Sequence, residues 1–295
     1  MSVTVRAPAK INLYLGVGPR RPDGFHPLAT VYQAVGLYDD VTVTDAEDWS
    51  VVLSEPIAGV PLDDSNLAVK AGRALVAHHG IDRRARIEIH KGIPVAGGMA
   101  GGSADAAATL VALDRLWELG TSDHDLLTLA AGLGSDVPFA LVGGTAAGSG
   151  RGEVVTPLQD DGSWWWVVVP DDEGLSTPSV YAAYDRLHPS PPVPEIPAVM
   201  YDALRRGVPD HLAVAVRNDL EDATLDLRPE LEDTLQAGMR AGAIIAMVSG
   251  SGPTTLYLCE DADNARAVAA ALRDGHPDVR VAAAPVAGAH VVSYA

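Results

Sequence analysis

Hydrophobic and polar positions divide the chain into strand-like and helix-like segments around one glycine-rich stretch. Residues 85–90 alternate apolar and polar side chains, as a half-buried strand does. Residues 103–119 are rich in Ala and Leu and place apolar side chains on one helical stripe. Residues 94–104, the glycine loop, lie between them. The pattern therefore predicts a strand-to-helix loop, with Ser103 as the N-cap of the helix.

The same patterns predict the other elements of the chain. Strands are predicted at 3–7, 10–15, 31–37, 40–44, 49–53, 164–169, from 243, at 255–259 and at 279–283. Helices are predicted after Ser65, Ser122 and Thr177 as N-caps, and at 264–272. The order after Ala243 favours an antiparallel sheet with helices on one face, so the predicted fold class is α+β. The Trp164–Trp166 run indicates core packing.

Length and composition indicate two domains. At 295 residues the chain is about twice the usual domain length. Composition changes near 156–163, so we place an N-terminal domain at 1–157 and a C-terminal domain at 158–295. No stretch is apolar for long enough to predict a membrane span, and the N-terminus lacks signal-peptide character. Cys259 is the single cysteine, so neither a disulfide framework nor a cysteine metal cluster is predicted. These features favour a cytoplasmic protein.

The net charge of the chain is −18, which limits its partners. Nucleic acid needs a basic surface and is an unlikely partner. An anionic small molecule is compatible with this charge if backbone donors and a few local cations hold it. The sequence leaves protein partners unknown.

The glycine loop has the composition of a phosphate-binding loop. Glycines allow positive φ and close approach of a ligand, and the first turn of a helix presents unpaired N–H groups. The spacing fits neither a dinucleotide fingerprint nor a P-loop, because Ser103 stands where the P-loop lysine is required. A flexible loop that binds nothing remains the alternative from local sequence.

Three stretches in order resemble the GHMP kinase superfamily, which includes galacto-, homoserine and mevalonate kinases. They are residues 8–13, the glycine loop and residues 250–253. Residues 21–28 and 133–138 are similar to one branch, whose members phosphorylate a hydroxyl of a cytidine-diphosphate-linked sugar alcohol. The five matches extend over nearly the whole chain.

The resemblance implies a two-domain GHMP kinase with its substrate in the cleft between the domains. It implies ATP as phosphoryl donor and Mg²⁺ carried on the nucleotide, with Ser103 near it and no metal site of the protein's own. The implied nucleotide contacts are Pro94, Val95, Ala96, Gly97, Gly98, Met99, Ala100, Gly101, Gly102, Ser103 and Ala104, with Asn66 and Lys91 at the adenine. The implied catalytic residues are Lys10 and Asp136, and the implied substrate contacts are Asn12, Phe25, His26 and Tyr181.

Each candidate also has an ordinary structural interpretation. Lys10 and His26 are compatible with surface positions, and Asp136 with a turn or helix cap. Tyr181 is compatible with packing beneath the tryptophan run. The chain departs from the family pattern where Ala96 and Ala100 replace glycines that members commonly carry, and where Phe25 replaces a tyrosine of the branch.

Two other functions remain open on the sequence. One is another small-alcohol kinase of the superfamily, of the homoserine or mevalonate type. The other is a nucleotide-binding protein without catalytic activity, which the presence of both Lys10 and Asp136 disfavours.

Overall fold

A computed structural model describes residues 1–95, 97–171 and 173–295. Its strands are β1 (Ser2–Val17), β2 (Leu28–Ala46), β3 (Ser50–Leu53), β4 (Arg84–His90), β5 (Thr145–Ser149), β6 (Val154–Pro157), β7 (Trp164–Val169), β8 (Arg217–Asn218), β9 (Ile245–Val248), β10 (Thr255–Cys259), β11 (Arg280–Ala284) and β12 (His290–Tyr294). Its helices are α1 (Leu67–His79), α2 (Gly101–Leu116), α3 (Asp123–Leu133), α4 (Val137–Val142), α5 (Thr177–Leu187), α6 (Ala198–Arg206), α7 (Pro209–Ala215), α8 (Glu221–Leu227), α9 (Leu231–Arg240) and α10 (Ala262–Leu272).

Two long antiparallel strands, β1 and β2, form the centre of an eight-stranded sheet. Each was predicted as two separate strands, and that prediction is wrong. Pro8 does not end β1, because the register against β2 shifts between Pro8 and Ala9. A proline is tolerated at such an irregularity in the ladder. Strands β4 and β3 extend the sheet on one side and β12 on the other.

Helix α2 lies in the core of the N-terminal domain. It packs against α1, α4 and the central strands, and Ala106, Ala107, Ala108 and Leu110 are fully buried. The alanine-rich sequence suits this position, because small side chains let the helix lie close to the sheet. The predicted helix is confirmed, but it begins at Gly101 and ends at Leu116.

The second sheet is antiparallel, as the sequence predicts, and its strand order is β11-β7-β10-β9. Its strand β7 is apolar at every position because both faces are covered. Trp164, Trp166 and Val168 join the core shared with the N-terminal domain, whereas Val167 and Val169 pack with α10. Trp164 and Trp166 are fully buried, so the prediction of core packing is confirmed for them.

The domain boundary falls in a connection, but the later chain returns to the first sheet. Strand β6 ends at Pro157 and β7 begins at Trp164. Beyond them, β8 pairs parallel and β12 antiparallel with β1. The division at residue 157 stays a prediction, and these two strands tie the C-terminal part of the chain to the first sheet.

None of the described helices combines the length and apolarity needed to span a bilayer.

Several local predictions shift by a residue or more. Asn66, not Ser65, is the N-cap of α1 and accepts a hydrogen bond from the N–H of Ala68. Ser122 is the N-cap of α3, as predicted. Helix α5 includes Thr177, so Ser176 takes its N-cap position.

Candidate active site

A cavity of about 590 Å³ lies where β1, the 18–27 loop, the glycine loop and α5 meet. It brings together residues that are far apart in sequence. All six side chains predicted to be catalytic or to bind the acceptor line it: Lys10, Asn12, Phe25, His26, Asp136 and Tyr181. Gly98 and Ala100 of the glycine loop reach the same cavity. Their roles stay predictions, but the fold gathers them at one place.

Lys10 is the cation at one end of the cavity. Its Nζ donates a hydrogen bond to Asn12 Oδ1 at 2.9 Å and lies 3.9 Å from Asp136 Oδ2. The two β1 residues face the same side because they are two positions apart. Asn12 is oriented in turn by Thr30, whose Oγ1 accepts from Asn12 Nδ2 at 2.8 Å. The lysine side chain is 10% exposed, so the interpretation as a surface lysine is wrong.

Asp136 faces Lys10 rather than the backbone of its own helix. It occupies the N-cap position of α4, but its side chain makes no capping hydrogen bond. The carboxylate therefore remains available to Lys10 and to the cavity, where it is 30% exposed. Tyr32 lies beside it; burial, with the Asp136 charge and hydrogen bond, raises the pKa of the phenol well above its ordinary value.

Aromatic side chains form the other end of the cavity. His26 is buried, its Nε2 lies 2.8 Å from Asp185 Oδ1, and its ring stacks on Tyr181 with centroids 5.0 Å apart. Surface exposure of His26 and packing of Tyr181 beneath the tryptophans are therefore both wrong. Phe25 is half exposed, and the guanidinium of Arg151 lies 5.0 Å from the centre of its ring.

The glycine loop begins α2 differently from the prediction. Ala96 lies outside the described residues. Ala100 is the N-cap residue and adopts φ 59° and ψ 34°, so Ser103 is not the cap and lies inside the first turn. The left-handed conformation costs a non-glycine residue roughly 1–3 kcal/mol. This strain occurs at one of the two positions where the chain departs from the family's glycines.

Three of the four glycines of the loop lie against other parts of the protein, and two of them, Gly97 and Gly98, meet the turn at residues 249–254. A Cβ on Gly98, which has φ +74°, would lie 2.5 Å from Ser249 O, and one on Gly97 would overlap Thr254 Oγ1. A Cβ on Gly101 would approach Lys91 Nζ at 3.1 Å. Gly102 alone among the four is exposed, with a Cβ position in ordinary contact with Leu67.

The two side chains predicted to contact adenine are engaged inside the protein. The amide of Asn66 caps α1 and donates to Pro61 O at 2.7 Å. Lys91 is 4% exposed and lies between the carboxylates of Asp39 and Asp105. Contact of either residue with adenine stays a prediction.

The Lys91 cluster, formed by Lys91, Asp39 and Asp105, anchors the entry to the glycine loop. Asp39 Oδ1 accepts the N–H groups of Gly92 and Ile93 at 2.8 and 2.9 Å. Asp105, from α2, accepts from Lys91 Nζ at 2.8 Å. Burial and the neighbouring Asp39 raise the pKa of Asp105 to about 8, although the lysine opposes the rise. One lysine thus faces two carboxyl groups, and the pKa of Asp105 is raised toward the neutral range.

Comparison with known proteins shows which family the chain belongs to. The family models for the N-terminal domain and the C-terminal domain of GHMP kinases match residues 66–144 and 200–278. A curated 4-diphosphocytidyl-2-C-methyl-D-erythritol kinase of Nocardioides sp. is 61% identical over 297 residues, covering 99% of this chain and 100% of the relative. The chain belongs to the GHMP kinase family.

Other GHMP kinases extend the likeness. A kinase of the same name from Streptomyces avermitilis is 54% identical, over 99% of this chain and 100% of the relative. A crystal structure of 4-(cytidine 5'-diphospho)-2C-methyl-D-erythritol kinase superposes with a TM-score of 0.79 at 33% identity, covering 97% of this chain and 100% of that one. Homoserine kinase from Cytophaga hutchinsonii, at 19% identity and a TM-score of 0.76, shares the fold.

Sequence analysis missed the partners of the candidate residues. Asp185 holds His26, Thr30 orients Asn12, and Asp39 and Asp105 enclose Lys91. Asp39 lies in the gap between the strands predicted at 31–37 and 40–44, where an aspartate is typical of a turn, so nothing in the sequence indicated its burial. The pattern could not identify it as a partner of Lys91.

Substitutions at Gly102 and Gly98 separate the two roles of the glycine loop. We expect Gly102→Val to leave the melting temperature nearly unchanged and to raise the KM for ATP about tenfold, since a side chain there covers the exposed first turn of α2. Gly98→Val should lower the melting temperature, because the new side chain meets the backbone of Ser249. Gly132→Val, remote from the loop with open space at its Cβ, is the control. An unchanged KM for ATP in Gly102→Val would contradict the loop assignment.

The protonation of Asp105 predicts a pH-dependent stability. Its pKa is raised on folding, so the native state binds this proton more tightly than the unfolded chain. Its contribution to stability therefore falls as pH rises from about 4 to about 8. Asp105→Asn imitates the protonated form. The melting temperature of this variant, minus that of the native protein, should increase as pH rises from 6 to 8.5. Asp39→Asn, which removes a carboxylate contact of Lys91, should be less stable at both pH values. A difference between Asp105→Asn and the native protein that does not vary with pH would refute this protonation state.

Proposed function

We propose that this protein transfers the γ-phosphoryl group of ATP to the 2-hydroxyl of 4-diphosphocytidyl-2-C-methyl-D-erythritol. The observation that carries the proposal is that one cavity is lined both by the Lys10–Asp136 pair and by the stacked rings of His26 and Tyr181. The full-length relatives with this activity in their name support the same substrate. The reaction contributes to the non-mevalonate route to isoprenoid precursors.

The chemistry requires alignment of the acceptor and compensation of charge. The acceptor oxygen forms a bond to the γ-phosphorus, the bond from that phosphorus to the bridging oxygen breaks, and ADP leaves. Asp136 is positioned to accept the proton of the acceptor hydroxyl. Lys10, 3.9 Å from this carboxylate, places positive charge beside the transferring group. Asn12 fixes the direction of the ammonium group.

The glycine loop would hold the nucleotide phosphates. The backbone N–H groups of Ser103 and Ala104 already donate to Ala100 O. The N–H groups of Gly101 and Gly102, which come earlier in the same turn, are therefore the ones suited to bind a phosphate. No group of three or more potential ligand side chains in the described residues is arranged to hold a metal ion. Mg²⁺ would come with the phosphates and neutralise their charge, and the hydroxyl of Ser103 is a candidate ligand in the loop.

A panel of acceptors tests the activity. ADP release should be measured with 4-diphosphocytidyl-2-C-methyl-D-erythritol, homoserine and mevalonate in turn, at fixed ATP and Mg²⁺. We expect turnover above the acceptor-free rate only with the cytidine compound, because the aromatic end of the cavity suits a base and neither other acceptor has one. Preference for homoserine or mevalonate would indicate the other kinases of the fold. ATP binding without turnover on any acceptor would indicate a protein that only binds nucleotide.

Substitution of Asp136 tests the proton acceptor. Asp136→Asn should lower kcat by about 10²–10⁴-fold, the usual contribution of a positioned base, with little change in the KM for ATP. Lys10→Met should also lower kcat, and the double variant should lose less than the product of the single losses, because the two groups act as a unit. Asp274→Asn, on an exposed turn, is the matched control. Near-normal turnover in Asp136→Asn would remove the base from the mechanism.

A further inference from the structure

The cavity is lined by two arginines that the proposed chemistry does not use. They are Arg20 and Arg151. Arg20 is an exposed residue in the loop after β1. Arg151, by contrast, is held on two sides: its guanidinium carbon lies 5.0 Å from the centre of the Phe25 ring, and its Nε lies 3.6 Å from Glu153 Oε1. A charge held by these two contacts is suited to a fixed role in recognition.

Arg151 adjoins two groups of residues that line the cavity. On one side it covers Phe25, which belongs with His26 and Tyr181 to the aromatic end. On the other side its neighbour Gly152 lies so close to Tyr32 that a Cβ would overlap the phenol oxygen. Tyr32 in turn lies beside Asp136 and 6.0 Å from Lys10 Nζ, measured to its ring centre. Arg151 therefore contacts Phe25 directly and adjoins Tyr32, the neighbour of Asp136, through Gly152.

This position matches the charged part of the acceptor. The inference rests on the proposed function, in which a cytosine at the aromatic end and a hydroxyl at Asp136 are joined through a diphosphate. A diphosphate enters a protein of net charge −18 and a cavity that contains Asp136 and Asp185, so its charge needs local compensation. A guanidinium is planar, permanently charged and suited to paired hydrogen bonds with phosphate oxygens.

We propose that Arg151 is a specificity-determining residue that binds the diphosphate of the cytidine substrate. Phe25 supports the guanidinium from one side through a cation–π contact. Glu153 restrains the residue from the other side, because its carboxylate accepts a hydrogen bond from the backbone N–H of Arg151 at 2.6 Å. The distance from Glu153 Oε1 to the side-chain Nε of Arg151 is 3.6 Å, which is longer than an ordinary hydrogen bond. The donors of the guanidinium are therefore not saturated by this pair. The phenyl ring, which stands where the branch often has a tyrosine, thus has a second role besides stacking on the base.

Binding of three ligands of increasing charge tests this assignment. Titration calorimetry on the full chain with cytidine, CMP and CDP separates the base from its phosphates. We expect Arg151→Ala to lower the affinity for CDP about tenfold or more and to change the affinity for cytidine by no more than about twofold. Arg151→Lys, which keeps the charge but loses the planar fork, should lie between. The difference in CDP affinity between the native protein and Arg151→Ala should become smaller as the salt concentration is raised, because the contact is partly exposed.

Two comparison variants make the result specific. Tyr181→Ala should weaken cytidine and CDP by the same factor, because it removes a contact with the base. Arg205→Ala, an exposed arginine on α6 that is also paired with an acid, should change neither. With the full substrate, Arg151→Ala should raise the KM for the cytidine compound while kcat and the KM for ATP stay near their original values.

The outcomes separate this inference from the proposed function. Equal weakening of cytidine and CDP in Arg151→Ala would show that the arginine acts only by placing Phe25, and unchanged CDP affinity would show no role at all. Either result overturns the assignment while native turnover of the cytidine substrate upholds the function. A native protein that binds CDP through Arg151 but does not phosphorylate the cytidine substrate would overturn the proposed function alone.

Discussion

The contact between the glycine loop and the turn at residues 249–254 is the constraint on which the site depends. Gly97 and Gly98 approach this turn so closely that no side chain fits at either position. On its other side the loop reaches β1, where the N–H of Lys10 donates to Met99 O. A Cβ on Gly250 would in turn lie 3.4 Å from both Lys10 Nζ and Asn12 Oδ1. Three segments far apart in sequence are thus held together through close backbone contacts.

Buried charge is the second constraint, and each case is met by a specific partner. Lys10 and Lys91 are both largely buried, but their surroundings differ. Lys10 faces one carboxylate at 3.9 Å, which leaves room and charge for a ligand. Lys91 is enclosed by two carboxyl groups and is the internal support of the loop entry. The same residue type therefore serves recognition in one place and architecture in the other, and the difference lies in how completely its charge is compensated.

The sequence predicted most elements correctly where the pattern was local. The strands at 164–169 and 255–259 were predicted at their observed bounds, since consecutive apolar residues between turn signals define them. Long strands were predicted in pieces, with breaks after Ala7 in β1 and after Leu37 in β2, because the bulge at Pro8–Ala9 depends on pairing with residues far away in sequence. Strands β5, β6, β8 and β12 and helices α4 and α6 to α9 were missed. Strand β12 illustrates the reason. Its residues are exposed on most sides, and it exists because β1 offers it an edge.

The candidate site shows the same division between local and distant information. Motifs indicated the residues that line the cavity, but not the contacts that give each one its state. Phe25 and Arg151 are 126 positions apart, and only the fold brings the guanidinium over the ring. The glycines of the loop show the opposite case. Their number suggested access for phosphate, whereas Gly97 and Gly98 permit close packing against the turn at residues 249–254 and Gly101 lies against Lys91. A glycine in a sequence indicates only that a Cβ is excluded at that position or that φ is positive there. Which neighbour excludes it, a ligand or another part of the protein, is decided by tertiary structure.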